Sequence, residues 1–293
     1  LVDAAAPDGP APVPAWPLAA LLIGSSLLAF GPLLVRLADT GPIASAFWRM
    51  ALAAPVLLAV AWARRDIGTP LPARRLPFGI AFLAGAFFAA DLAAWHLGIV
   101  RTTTANATLF ANTTAFMLAG WAILVRGERP SAATARALLL ALAGALLLMG
   151  SSARLSPAHL VGDLLSLAAA AFYTFYLLTI MRLRDRFTTA TVLGLSTASS
   201  AILLLPAALL EPAVFWPADW RPVLALAVSS QLAGQGLMVF ASGRLPAFIV
   251  GIGLLVQPLV SAIAGWLAFA EVPGPAALTG AALIGAALVL IRR

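Results

Sequence analysis

The chain has no cysteine and no lysine, only two histidines, and little charge of either sign: 10% of its 293 residues are charged. Without cysteine there are no disulfides, thiolate metal sites or cysteine nucleophiles. Two histidines cannot build a multi-histidine metal centre, and no Walker-type phosphate loop occurs, so ATP is not a direct energy source. The sequence calls for no cofactor, metal or catalytic residue. A soluble globule carries about a quarter of its residues as charges, so this composition excludes one. All 18 cations are Arg and the net charge is +7. Charges at membrane edges account for that balance without a nucleic-acid partner.

What the chain has is apolar length. Hydrophobic residues make up 62% of it, and mean hydropathy is +1.00. Residues 1–15, Pro- and Ala-rich with two Asp and no cation, read as a flexible cytoplasmic tail without the basic start of a signal peptide. Apolar runs then recur at about 16–37, 42–63, 77–99, 102–125, 132–150, 160–181, 189–210, 222–243, 246–270 and 275–291. Their lengths suit a hydrocarbon core of about 30 Å, and lipid requires backbone polar groups to be satisfied within each span. The expectation is an all-α integral membrane protein of ten transmembrane helices, with the bilayer as its surroundings and no need of a second copy to function. With the N-terminus inside, 13 Arg fall in inner connections and 4 in outer ones, Arg49 lying within a span. That bias puts both termini in the cytoplasm.

Shifting the chain by 143 residues lays Arg101 on Arg244, Glu128 on Glu271 and Pro130 on Pro273, each at the same place in the helix pattern. The implied units are 16–150 and 151–293. Five spans per unit is odd, so the second unit enters from the opposite side, the inverted repeat of many secondary transporters.

Ala90-Asp91-Leu92, Trp95-His96, Arg101-Thr102-Thr103, Ala105-Asn106-Ala107-Thr108-Leu109 and Gly127-Glu128-Arg129-Pro130 resemble the EamA unit of the drug/metabolite transporter superfamily. The second unit is similar in Gly162-Asp163-Leu164-Leu165 and Glu271-Val272-Pro273, and Gln257-Pro258 stands where the family often has Glu-Pro. Phe47-Trp48-Arg49 resembles the family's aromatic-Arg position, whereas Ile23 replaces the usual aromatic before Gly24. The resemblance implies two inverted five-helix repeats in a bacterial inner membrane. It also implies export of small metabolites, with amino-acid and aromatic amino-acid exporters among the bacterial members, or of another small metabolite or drug.

Ionisable groups inside a span are functional candidates by default. Asp91 and Arg49 sit at matching depths, roughly 12 and 10 Å below the outer surface at 1.5 Å per residue. They either pair or share a zwitterionic substrate. Trp95 shares the Asp91 face, and His96 lies nearer the outer surface as a proton carrier or a packing residue. Asn106 and Phe110 fall on one stripe of the fourth helix and Asn112 on another. Gln231 and Gln235 share a face of the eighth, and Gln231 and Gln257 offer amides near the midplane. Trp48, Tyr173, Tyr176 and Trp266 are candidate stacking partners. Gly31, Pro32, Gly251, Gly253 and Pro258 are candidate hinges, since a Pro within a span frees a carbonyl. The cavity is expected between the third, fourth, eighth and ninth helices.

Two other classes fail on detail. A Ser25/His96 hydrolase puts its partners at different depths, and an aspartyl site at Asp163 has no second Asp at matching depth. A channel tends to show charged rings or a carbonyl filter, and neither is evident. The orientation has a direct check: Pro70→Cys and Asp185→Cys should react with an impermeant thiol reagent only from the cytoplasm, and Ser156→Cys only from outside. The reverse pattern at any of them refutes the assignment.

Overall fold

The computed structural model describes residues 14–64, 78–150, 156–269 and 274–291. The tail to residue 13, the arginines at 65, 74, 75, 154, 292 and 293, the Glu271-Val272-Pro273 motif and the Trp266 side chain lie outside the described residues. Every regular element described is helical. In chain order they are α1 (Ala15–Leu37), α2 (Pro42–Ala63), α3 (Phe78–Ile99), α4 (Asn106–Leu124), α5 (Ala132–Gly150), α6 (Leu160–Arg184), α7 (Thr189–Leu210), α8 (Arg221–Ser242), α9 (Ala247–Ser261, its helix continuing to Phe269) and α10 (Pro275–Ile291). Each expected apolar run therefore carries helix. Seven are long and apolar enough to cross a membrane, whereas the apolar stretches of α5, α9 and α10 are shorter. At 17 residues α10 reaches about 26 Å, just under a typical hydrocarbon core.

Local chemistry sets several helix ends. Thr103 accepts from the Asn106 N–H, capping the first piece of α4. Past α4, Gly127 takes φ 63°, the left-handed conformation that glycine adopts without a Cβ penalty. Pro42 and Pro222 sit in first turns, where a missing N–H costs nothing.

The helices pair in a pattern that survives exchange of α1–α5 for α6–α10. α3 packs on α6 as α1 packs on α8; α3 meets α7 as α8 meets α2; α4 meets α6 as α9 meets α1. The remaining principal contacts, α2 with α7, α4 with α9 and α5 with α10, map onto themselves. In the last of these the backbones touch: a Cβ on Gly280 would lie 2.5 Å from the Gly144 carbonyl oxygen. Small residues permit such approach, which in lipid replaces the missing hydrophobic drive between helices.

Four helices are irregular. α1 breaks between Leu28 and Gly31, α4 between Ala111 and Thr114, and α9 at Leu255. In α8, residues Leu226–Gln235 are wound as a π-helix. The breaks in α4 and α9 are related by the sequence shift, since Asn112 falls on Leu255. Pro32 and Pro258 supply no N–H, so the carbonyls of Leu28 and Leu254 lose their helical partners. Ser261 of α9 donates to the Ala29 carbonyl in the α1 break at 3.1 Å. In α4 the break is sealed by its own side chains: the Asn112 amide donates to the Thr108 carbonyl and the Thr113 hydroxyl to the Phe110 carbonyl.

The candidate hinge glycines have packing roles. Gly251 lies against the Ala115 carbonyl, Gly253 against Leu21, and Gly31 under the Trp95 ring. Gly280→Val should therefore force α5 from α10 and cost about 1–3 kcal/mol. A lowered melting temperature in detergent checks this, with Gly285→Val, whose Cβ meets nothing within 4 Å, as the neutral control.

Candidate functional site

A cavity lies where the broken helices meet. Counting its mouth, it encloses about 590 Å³. Arg49 of α2, Asp91 and Trp95 of α3, Asn112 at the α4 break, Tyr173 of α6, Gln235 of α8 and Gln257 of α9 all line it. α1, α2 and α6 thus join the four helices expected from the sequence. Leu28 and Leu254, the residues whose carbonyls the prolines leave unserved, are also in its wall. The wall keeps part of the repeat: Ala111 and Thr114 are carried by the shift onto Leu254 and Gln257, all four lining residues.

The charged heads set its chemistry. Arg49 and Asp91 are both buried. Among the described residues they form no ion pair within 4 Å, and the Arg49 Nε has no hydrogen-bond partner. Of the two arrangements open from the sequence, direct pairing is not what this structure holds; both side chains face one cavity without touching. The Arg49 guanidinium lies 5.9 Å from the centroid of the Phe88 ring, which stacks on Tyr176 at 4.4 Å. That is cation–π distance, a partial offset for a buried cation. Tyr173, its ring 6.3 Å from that of Phe88, donates its hydroxyl to Gln235 Oε1 at 3.2 Å, while Gln235 Nε2 is buried and unpartnered. The cavity therefore offers a guanidinium, a carboxyl group, an amide donor and aromatic faces.

Other sequence candidates lie elsewhere. Trp48 belongs to a cluster with Phe215, Trp216 and Trp220 and donates its Nε1–H to the Phe215 carbonyl at 2.8 Å. The aromatic-rich α7–α8 connection draws it away from the cavity. His96 is fully buried, with Nδ1 2.8 Å from the Ser45 hydroxyl. That hydroxyl also donates to the Pro42 carbonyl, so the ring nitrogen is the donor in this pair. The Asn106 amide donates to Asp163 at 2.9 Å, and Gln231 to the Thr197 hydroxyl at 2.9 Å. Tyr176 lies behind Phe88, and Phe110 is not in the cavity wall. Helix periodicity groups residues by face; which neighbour covers that face depends on the tertiary pairing. Thr114 and Ala170 line the cavity without a signal of their own type, although the shift from Gln257 to Thr114 marks the first of them.

These features define a polytopic membrane protein with a largely apolar cavity, set with a few polar side chains, between two halves. The chain matches the EamA-like transporter family over residues 15–150 and again over 160–293, and it belongs to that family. A curated relative, an uncharacterized transporter of Archaeoglobus fulgidus, is 25% identical over 245 residues, spanning 82% of this chain and 83% of its own length. A crystal structure of a protein 21% identical superposes with a TM-score of 0.74, covering 93% of this chain and 96% of that one, and shows the same fold. Neither the family match nor these relatives names a substrate or calls for an enzyme.

Proposed function

We propose that this chain exports small metabolites across a bacterial inner membrane, with amino acids, aromatic ones included, as the preferred cargo. The observation that carries the reading is the pair of buried opposite charges that share one cavity without bonding each other. A buried charge without a partner costs several kcal/mol, and a zwitterion supplies both missing partners at once. Its carboxylate is matched by Arg49, its ammonium by Asp91, and an aromatic side chain by Phe88, Trp95 and Tyr173. Another metabolite or drug bearing both charges satisfies the same groups.

Transport proceeds in this reading by alternating exposure of the cavity between two inverted five-helix repeats. Support comes from the double family match, from the exchange symmetry of the helix contacts, and from the two breaks 143 residues apart. All ten helices then cross the bilayer, the short ones where it is locally thinned, and both termini are cytoplasmic. A single chain holds the whole cavity, so the transporter works as a monomer. Discontinuous helices at a repeat interface are where transporters of this architecture bind substrate.

Uptake of labelled amino acids into proteoliposomes, with and without a pH gradient, tests the function. Wild type should transport an aromatic amino acid, and Asp91→Asn, which keeps shape but removes charge, should lose at least tenfold in rate with an unchanged melting temperature. Wild-type rates in that variant would remove Asp91 from the site. Dependence on the gradient separates proton-coupled from facilitated export.

A further inference from the structure

One polar chain ties together the outer ends of four helices. Arg36, at the end of α1, donates to the carbonyls of Ile99 and Thr102 at 2.7 and 3.1 Å. The Thr102 hydroxyl donates to Asp163 Oδ1 at 2.6 Å, and the Asn106 amide donates to the same oxygen at 2.9 Å. Asp163 is on α6, Asn106 on the outer piece of α4, and Thr102 in the α3–α4 turn. α1 and α4 are also helices with breaks, so the chain holds the outer pieces of two broken helices to the intact rods α3 and α6. Beside it Val35, Ile99, Ala107 and Leu226 form a small apolar cluster, and Trp95, a cavity-lining residue, packs against it.

The opposite end is built differently. Under the shift of 143, Asp163 corresponds to Ala20, Thr102 to Leu245 and Asn106 to Ile249, all buried and apolar. No equivalent network can form there. Around that junction a cleft of about 970 Å³, its mouth included, opens between the ends of α4 and α6 and the α8–α9 turn, with Trp121, Met181, Ser242 and the charged Arg126, Glu128, Arg182, Asp185 and Arg244 in its wall. The two ends of a symmetric framework are thus held unequally, one by hydrogen bonds to a buried carboxylate and the other without such a clasp, around a cleft lined by charged side chains.

We propose that Asp163 is the clasp of the outer gate: its hydrogen bonds to Thr102 and Asn106 hold the outer pieces of α1 and α4 shut and set the resting state as closed outside and open inside. The proposal rests on the alternating-access reading above. The clasp is a device of conformational bias, and Asp163 touches no substrate. A carboxylate accepting two hydrogen bonds in a buried place gives a strong closed state, and losing one charge-assisted bond changes a two-state population about fivefold or more.

Because the chain contains no cysteine, single cysteines report each end without background. Ala111→Cys reads the cavity and Ser242→Cys the inner cleft, each labelled by an impermeant thiol reagent on one side of sealed vesicles at a time. In the Asp163→Ala background, labelling at 111 from outside should rise about fivefold or more while labelling at 242 from the cytoplasm falls. Thr102→Val removes one bond and leaves Asn106 on the carboxylate; it should shift both rates the same way by less, and it keeps the test open should Asp163→Ala fail to fold. The opposed direction is what a merely structural role would not give. Equal rises at both positions mean a loosened fold and overturn the clasp, as do unchanged rates in both backgrounds. Reciprocal changes seen from exchanged sides uphold the clasp and refute the membrane orientation. Labelling needs no substrate, so failure of the amino-acid reading leaves this outcome intact.

Discussion

A helix can stop in the middle of a bilayer only where protein or a polar cavity, and not lipid, meets the groups it frees. That constraint organises this molecule. The chain breaks α4 and α9, and the two broken helices face each other across the pseudo-symmetric centre. α1 breaks beside them, and α9 supplies the Ser261 hydroxyl to one of its carbonyls. The freed backbone is thereby gathered at one depth, and the cavity forms there. Had the breaks fallen on α5 or α10, whose apolar faces carry exposed Leu139, Leu146, Leu278 and Val289, the freed groups would have met hydrocarbon.

The framework repeats, but its chemistry does not. Arg49 and Asp91 come from the first unit only; the shift carries them onto Val192 and Gly234. The second unit contributes Tyr173, Gln235 and Gln257, which hydrogen-bond without charge. The backbone repeat gives the two halves matching helix contacts, while the side chains that line the cavity do not repeat, so its two walls are chemically unlike.

Much of the architecture was legible in the sequence because lipid simplifies the code. Long apolar runs can only be helices, Arg marks edges, and a shift of 143 exposes the repeat. Pro32 and Pro258 mark the broken helices α1 and α9, whereas the Asn112-Thr113 break in α4 has no proline and rests on side chains bonding back to carbonyls. Asp91, Arg49, Trp95, Tyr173 and Gln235 were legible as cavity residues from burial cost and helix face. Trp48, His96, Asn106 and Gln231 were not, because a polar group on a buried face is satisfied equally well by a neighbouring helix or loop: Phe215, Ser45, Asp163 and Thr197 take them up. The π-wound part of α8 had no sequence signature beyond its Ser and Gln content, and it changes the helical face on which Gln231 and Gln235 sit.

Recognition of a zwitterion by this cavity requires that Arg49 and Asp91 each contribute to binding. The direct measurement is equilibrium binding to purified protein of an aromatic amino acid, its decarboxylated amine and its deaminated acid. The amino acid should bind at least tenfold tighter than either analogue, with Arg49→Gln erasing its advantage over the amine and Asp91→Asn its advantage over the acid. Equal affinities for all three would contradict it, because the buried charges would then play no part in recognition.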